Sequence, residues 1–201
     1  VRNVISLGNM STLNAPEEVW LAERLLEINP WAGGVRFARS GGEANAIAVR
    51  IARAMSGKEG VAVCGYHGWH DWYLSANLGA DDSLAGHLLP GLSTAGVPPS
   101  LRGIVHPFDY NNFENLVQLV TTKNIGVVKM EVMRTVEPAD NFLTKVRRLC
   151  DAHGIVLVFD ECTSGFRETF GGLHIKYGVQ PDVAVFGKTL GNGYAVSAVV
   201  G

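Results

Sequence analysis

The chain has 201 residues, of which 47% are hydrophobic and 18% are charged, so it can bury a sizeable core within one domain. Its formal net charge is −2 and it has no long basic run, which argues against a nucleic-acid-binding protein. No apolar stretch approaches a membrane span, and the first residues lack the basic, apolar and small-residue order of a signal peptide.

Amphipathic patterns alternate with apolar ones along most of the chain. Period-3.6 apolar stripes predict helices over residues 16–28, 43–55, 113–120 and 142–153. Gly57 and Gly154 are plausible ends for the second and the last of these helices. Apolar runs predict strands over residues 35–40, 60–65, 103–108, 125–131, 154–161, 182–187 and 194–200.

The strand pattern predicts an α/β fold. Continuous apolar strands that alternate with helices are typical of a mostly parallel sheet with helices on both faces. Only about eight residues separate the last two strands, too few for a helical crossover, so we expect one antiparallel strand. Residues 79–103 are rich in Gly, Pro and Ser and are predicted to form a long loop.

The chain ends and the cysteines bear on completeness and cellular compartment. The sequence begins without methionine and stops in a strand pattern, AVSAVVG, so we expect a fragment: one domain over 1–201, incomplete at both ends.

The cysteines Cys64, Cys150 and Cys162 are odd in number and widely spaced. This usage is typical of reduced thiols rather than of a disulfide framework, which favours a cytoplasmic protein.

Several chemically useful residues follow directly after predicted strands. In open α/β sheets, ligands collect at the carboxyl ends of the strands, so these residues are expected to converge on one rim. The rim residues are Ser40, Gly41, Gly42, Gly65, Tyr66, His67, Glu131, Asp160, Glu161, Gly187 and Lys188.

The letters GKT at 187–189 resemble the end of a nucleotide-binding P-loop. That motif needs a glycine five residues before Gly187, and Asp182 stands there instead. The residues between them form a predicted strand, which cannot curl around a phosphate. A P-loop is therefore a poor explanation of Lys188, and the alternative to a functional role is an ordinary surface lysine at a strand end.

The other rim residues also allow both functional and structural interpretations. Ser40, Gly41 and Gly42 precede a helix whose free N–H groups could bind phosphate, or they form an ordinary turn. Asp160 could be the counter-ion of a buried positive charge, or it could cap a turn. Tyr66 could stack on a flat ligand, or it could pack in the core.

One ligand suits this set of residues as a whole. Pyridoxal 5'-phosphate (PLP) has a phosphate, a flat ring, a ring nitrogen that an aspartate can keep protonated, and an aldehyde that condenses with lysine. A metal site formed by the run from His67 to His70 and Asp71 is not expected, because that run lacks a fourth nearby ligand.

Five stretches also resemble one enzyme family, in the family's order and over most of the chain. They are FARSGGEANAIAVRIAR, CGYHGWHDW, VVKMEVMRTVEP, VLVFDECTSGFR and YGVQPDVAVFGKTLGNG. They are similar to the large domain of the class III aminotransferases, fold-type-I PLP enzymes that include glutamate-1-semialdehyde aminomutase. The resemblance implies PLP as cofactor, a homodimer, and amino transfer between a small-molecule amino donor and a carbonyl acceptor.

The resemblance also implies a role for each matched residue. Lys188 corresponds to the catalytic Schiff-base lysine and Asp160 to the partner of the ring nitrogen. The other implied cofactor contacts are Ser40, Gly41 and Gly42 at the phosphate, Tyr66 and Cys162 on the two faces of the ring, His67 beside Tyr66, and Glu131 behind the ring near Asp160.

The sequence departs from the family pattern in ways that leave the substrate open. Gly42 replaces a hydroxyl residue in the phosphate turn, and the run Cys162-Thr163-Ser164 after the aspartate replaces the commoner Val-Gln-Thr or Val-Met-Thr. Arg167 could clamp a substrate carboxylate or form an ordinary salt bridge. The alternative to an enzyme is a non-catalytic remnant of the fold that acts as a binding module.

Overall fold

Seven strands form one sheet in the computed structural model, which describes residues 2–7, 14–79, 83–87 and 91–201. They are β1 (Val35–Ala38), β2 (Gly60–Cys64), β3 (Val105–Pro107), β4 (Ile125–Glu131), β5 (Val156–Asp160), β6 (Val183–Phe186) and β7 (Ser197–Val200). The order across the sheet is β1-β7-β6-β5-β4-β2-β3.

One strand runs against the others, as predicted. The β2–β3, β2–β4, β4–β5 and β5–β6 pairs are parallel, whereas β7 is antiparallel to both of its neighbours, β6 and β1. The pairing of β1 with β7 was not predicted from the sequence. It places the carboxyl end of β1 on the same rim as the carboxyl ends of β2, β4, β5 and β6.

The helices of the described residues largely follow the predicted pattern. They are α1 (Arg2–Leu7), α2 (Pro16–Ile28), α3 (Gly41–Ser56), α4 (Asp71–Leu74), α5 (Phe113–Thr122), α6 (Phe142–His153) and α7 (Leu173–Tyr177). Helix α3 starts two residues before the predicted start, because Ser40 Oγ accepts a hydrogen bond from the Glu43 N–H and caps it. The short helices α1 and α7 were not predicted.

The predicted loop over 79–103 contains two short 3₁₀ turns, Ala85–His87 and Pro99–Leu101. Residues 80–82 and 88–90 of that prediction lie outside the described residues. Among the helices of the described part of the chain, none is long and apolar enough to cross a membrane.

Helices cover both faces of the sheet, as predicted. On one face, small α3 residues such as Ala44 and Ala48 pack on Val127, Val158 and neighbouring strand valines. On the other face, α5 and α6 bury a second core against β2, β4 and β5, and α2 covers the part of the sheet formed by β6 and β7. Because α3 has small side chains at the sheet, its first turn lies close to the rim where β5 ends.

Candidate active site

Asp160, the last residue of β5, is a buried carboxylate with three hydrogen bonds. Its Oδ2 lies 2.8 Å from both Asn45 Nδ2 and His67 Nδ1, and its Oδ1 accepts the Cys162 N–H at 3.0 Å. Burial opposes ionisation of this carboxyl, but the charge of buried Lys129 and these hydrogen bonds outweigh it and hold the pKa of Asp160 below its usual range. Asp160 is therefore a fixed negative charge at neutral pH.

His67 holds Asp160 in place from the loop that follows β2. Its side chain is fully buried, and its Nε2 lies 3.0 Å from the carbonyl oxygen of Cys64. Both ring nitrogens therefore have an oxygen partner, which fixes the orientation of the ring. His67 thus supports the carboxylate from beneath the rim.

Lys188 presents an exposed amine on the same rim. It opens a 3₁₀ turn, Lys188–Leu190, directly after β6, and its φ is 44°. That left-handed conformation is costly for a residue with a Cβ, and such conformations are concentrated at functional sites. The Nζ donates a hydrogen bond to Thr163 Oγ1 at 2.8 Å, so the turn after β5 orients the amine.

Cys162 joins the three parts of the rim. A Cβ added at Gly41 would lie 3.2 Å from Cys162 Sγ, and a Cβ added at Gly187 would lie 3.1 Å from the same atom. The Cys162 thiol therefore lies where three segments approach one another: the first residue of α3, the turn after β5 and the residue before Lys188. This is the convergence that the sequence predicts for Gly41, Asp160 and Lys188.

The first turn of α3 has the features of an anion site. The first N–H groups of a helix have no partner within it, and they carry partial positive charge. The turn is held by Ser197 Oγ, which donates to the Ser40 carbonyl at 2.9 Å. At Gly42, an added Cβ would lie 3.0 Å from His70 Cδ2, so a larger residue would crowd this turn.

Tyr66 and Glu131 line the neighbouring part of the rim. Tyr66 is half-buried, with its ring edge-on to Tyr73 at 6.1 Å between centroids. Glu131 lies beside Asp160 in the β4–β5 register and forms a bidentate ion pair with Arg134, with contacts of 2.5 to 3.0 Å. A cleft of about 210 Å³ opens here, lined in part by Glu131, Arg134 and His87. The stacking role expected of Tyr66 stays a prediction.

A wider cleft, of about 980 Å³, lies away from these residues, around Arg147, His174 and Asp182. Asp182 immediately precedes β6, so this cleft lies at the amino ends of the strands. Ligands of open α/β sheets bind at the opposite, carboxyl ends. We therefore assign the site to the rim around Asp160 despite the smaller volume there.

Two candidate residues, one from the rim set and one proposed as a carboxylate clamp, are placed elsewhere. Glu161 is fully buried on the far side of Asp160, where its Oε1 accepts hydrogen bonds from the backbone and the ring of His174, both at 2.9 Å. Arg167 is exposed, and its guanidinium forms no ion pair with any residue that the structure describes. The salt-bridge alternative is therefore not seen among the described residues, and the carboxylate clamp stays a prediction.

Comparison with known proteins assigns the family. The family model described as "Aminotransferase class-III" matches residues 2–201, which is nearly the whole chain. The chain belongs to the class III aminotransferases. The resemblance seen in the five sequence stretches is thereby confirmed.

Individual relatives of this class III chain are similar over its full length. It is 32% identical to a 3-aminobutyryl-CoA aminotransferase of Cloacimonas acidaminovorans over 100% of this chain and 46% of the relative. It is 35% identical to a glutamate-1-semialdehyde 2,1-aminomutase of Desulfatibacillum aliphaticivorans, over 98% and 47%. A solved transaminase with PLP bound has a TM-score of 0.86 and 27% identity, over 100% and 47%. The chain spans about half the length of these relatives.

Three site residues of this aminotransferase chain escaped the sequence analysis. Asn45 contacts Asp160 across 115 residues of sequence, and no local pattern marks it. Thr163 was noted only as part of a departure from the family pattern. Lys129 did give a signal, since a lysine within the apolar strand VVKM has to be buried, but its meaning depends on which side chain it faces.

The three thiols of the class III chain are expected to be inert in the folded protein. All are buried, and burial raises the pKa of Cys64 and of Cys150 to about 12 and raises that of Cys162 further. We expect negligible reaction with a disulfide reagent near neutral pH, and three equivalents after denaturation. Rapid labelling of the native protein at any of the three positions would contradict this burial.

Proposed function

We propose that the chain forms the cofactor-binding large domain of an enzyme that uses PLP to move an amino group between an amine or amino acid and a carbonyl compound. The observation that carries the proposal is that a buried, ionised Asp160 and an exposed Lys188 amine both lie near Cys162 on one rim. Membership of the class III family favours this enzyme over the non-catalytic binding module.

The residues present fit PLP in three respects. A carboxylate offers about four acceptor positions, and Asp160 uses three of them within the described residues, which leaves one on Oδ1 for a ring N–H. The α3 amino end at Gly41 and Gly42 suits a phosphate. Lys188 supplies a primary amine within the same rim.

When bound, the cofactor would supply an aldehyde that takes up amino groups and a ring that accepts electrons. Asp160 would keep the ring nitrogen protonated through its fixed negative charge. Lys188 would hold the cofactor through its primary amine, and the same amine, when free, would move a proton at the substrate carbon. Thr163 orients that amine, and Tyr66 and Cys162 would contact the two faces of the ring.

The substrate and the assembly follow from the relatives only as proposals. We infer an amino donor and a carbonyl acceptor as substrates, with aminomutase chemistry as the version in which both groups belong to one carbon skeleton. We also infer a homodimer, as the family resemblance implies. Three buried free thiols support a cytoplasmic location.

The proposed function is tested by a half-reaction on the full-length protein with PLP. Primary amines, α-amino acids and β-amino acids are added in turn, and conversion of the cofactor to its aminated form is followed by absorbance and product mass. Conversion by at least one donor, absent in Lys188→Ala, supports amino transfer. Cofactor binding without conversion by any donor would support the binding-module alternative instead.

A further inference from the structure

Lys129 is a fully buried cation that the proposed mechanism does not use. It lies in the middle of β4 with 0% exposure, and its Nζ donates no hydrogen bond to any residue that the structure describes. An ammonium that loses water without gaining hydrogen bonds is costly, so it persists only when a nearby negative charge offsets the cost.

The sheet register identifies that charge. Lys129 pairs with Val158, and Glu131 pairs with Asp160, so all four side chains lie on the face that α3 covers. Glu131 is already neutralised by Arg134. Asp160 is therefore the carboxylate left to balance Lys129.

The other groups around this pair are few. Among the described residues, the charged or titratable groups that act on Lys129 are Asp160, the Cys162 thiol and Glu131, and Arg134 also acts on Asp160. His67 reaches Asp160 from the loop after β2, and α3 contributes the neutral Asn45. Burial lowers the pKa of Lys129, and the charge of Asp160 opposes that shift.

We propose, building on the proposed function, that Lys129 is the resting counter-charge of Asp160 and gives up its proton when a cationic ring nitrogen binds to that carboxylate. The Lys129 nitrogen keeps the electron pair of the broken N–H bond. The proton goes to the ring nitrogen if that atom arrives neutral, and to the solvent if it arrives protonated. The ammonium of Lys129 is the cation to lose its proton, because no hydrogen bond to a described residue holds that proton in place.

The proposal fixes the sign of a pH effect. Where Lys129 is protonated in the free protein, cofactor binding has to expel its proton, so Lys129 weakens binding. As the pH rises and the free lysine loses its proton, that penalty disappears. A neutral residue at position 129 removes the penalty at every pH, and an arginine retains it at every pH because it does not deprotonate.

The test uses pyridoxamine 5'-phosphate, which lacks the aldehyde and therefore binds without bonding to Lys188. Its Kd is measured from about pH 6 to about pH 9 on the full-length wild type, Lys129→Met, Lys129→Gln and Lys129→Arg. The exposed Lys123→Met is the charge-matched control. We expect the neutral variants to bind about tenfold tighter at the acidic end, with the advantage shrinking as pH rises. Lys129→Arg should bind more weakly than wild type at the alkaline end.

A second readout needs no cofactor. Unfolding of wild type, Lys129→Met, Asp160→Asn and the double variant gives a double-mutant cycle, in which we expect a coupling of about fivefold or more in the unfolding constant. Absence of coupling would overturn the interaction of Lys129 with Asp160 in the free protein. A ratio of wild-type Kd to Lys129→Met Kd that is the same at all pH values would overturn the loss of the Lys129 proton on binding. If wild type does not bind pyridoxamine 5'-phosphate, the proposed function is contradicted, and with it the loss of the Lys129 proton on binding. The double-mutant cycle still tests the interaction of Lys129 with Asp160 in that case.

Discussion

Replacing Lys188 with alanine lowers kcat/KM for amino transfer by about 10⁴-fold or more. In the proposed function, the exposed amine held by Thr163 has two roles: it bonds the cofactor aldehyde and it moves a proton at the substrate carbon. Alanine removes both capacities at once. The measurement is steady-state turnover of the full-length protein with a donor that the half-reaction screen has identified.

Two further variants show whether activity depends on the nucleophilic amine of Lys188 or only on a positive charge. Lys188→Arg keeps a cation but loses the nucleophile, and we expect it to be about as inactive as the alanine variant. Lys123→Ala removes an exposed lysine far from the rim and should retain full activity. An added small primary amine should partly restore Lys188→Ala, because it can replace the missing base. Activity of Lys188→Ala within tenfold of wild type would refute the role.

Asp160→Asn lowers kcat/KM by about 10²- to 10³-fold, since it removes a preorganised charge from the reacting centre. The amide retains the shape but cannot keep a ring nitrogen protonated. It also leaves Lys129 without its counter-charge, so we expect a lower unfolding temperature as well. Turnover and thermal unfolding of the same preparation measure the two effects.

The matched control for Asp160 is Asp151→Asn, which removes a 63% exposed carboxylate paired with Arg147 on the surface of α6. Surface ion pairs of this kind contribute roughly 0–1 kcal/mol, so activity should be unchanged and stability nearly so. Equal activity losses in the two variants would indicate a general effect of lost charge. That result would remove Asp160 from the site.

Much of the fold could be predicted because the strands are buried on both faces. An apolar run such as IVLVF before Asp160 has few alternatives, and the short connection between β6 and β7 forces them to be antiparallel. The place of β1 could not be predicted, because a four-residue strand can pair at either edge. Helix α7 has only five residues, too few for a helical period to appear.

The site was predictable where a residue's role follows from its position at a strand end. Asp160, Lys188 and the glycines that begin α3 have that property, and Cys162 lies beside Asp160, Gly41 and the residue before Lys188. Asn45 and Thr163 act through contacts between distant segments, which no local pattern records. Lys129 shows this limit of sequence-based prediction most clearly. The apolar strand makes its burial predictable, but identifying Asp160 as its partner required the register of β4 against β5.

Reductive trapping of the cofactor tests the central assignment most directly. The full-length protein is incubated with PLP, reduced with borohydride and digested, and the peptide that carries the added mass is sequenced by mass spectrometry. We expect the label on Lys188 alone, with Asp160→Asn labelled less at limiting PLP. Label on another lysine, or on none, would contradict the placement of the reacting aldehyde between β5 and β6.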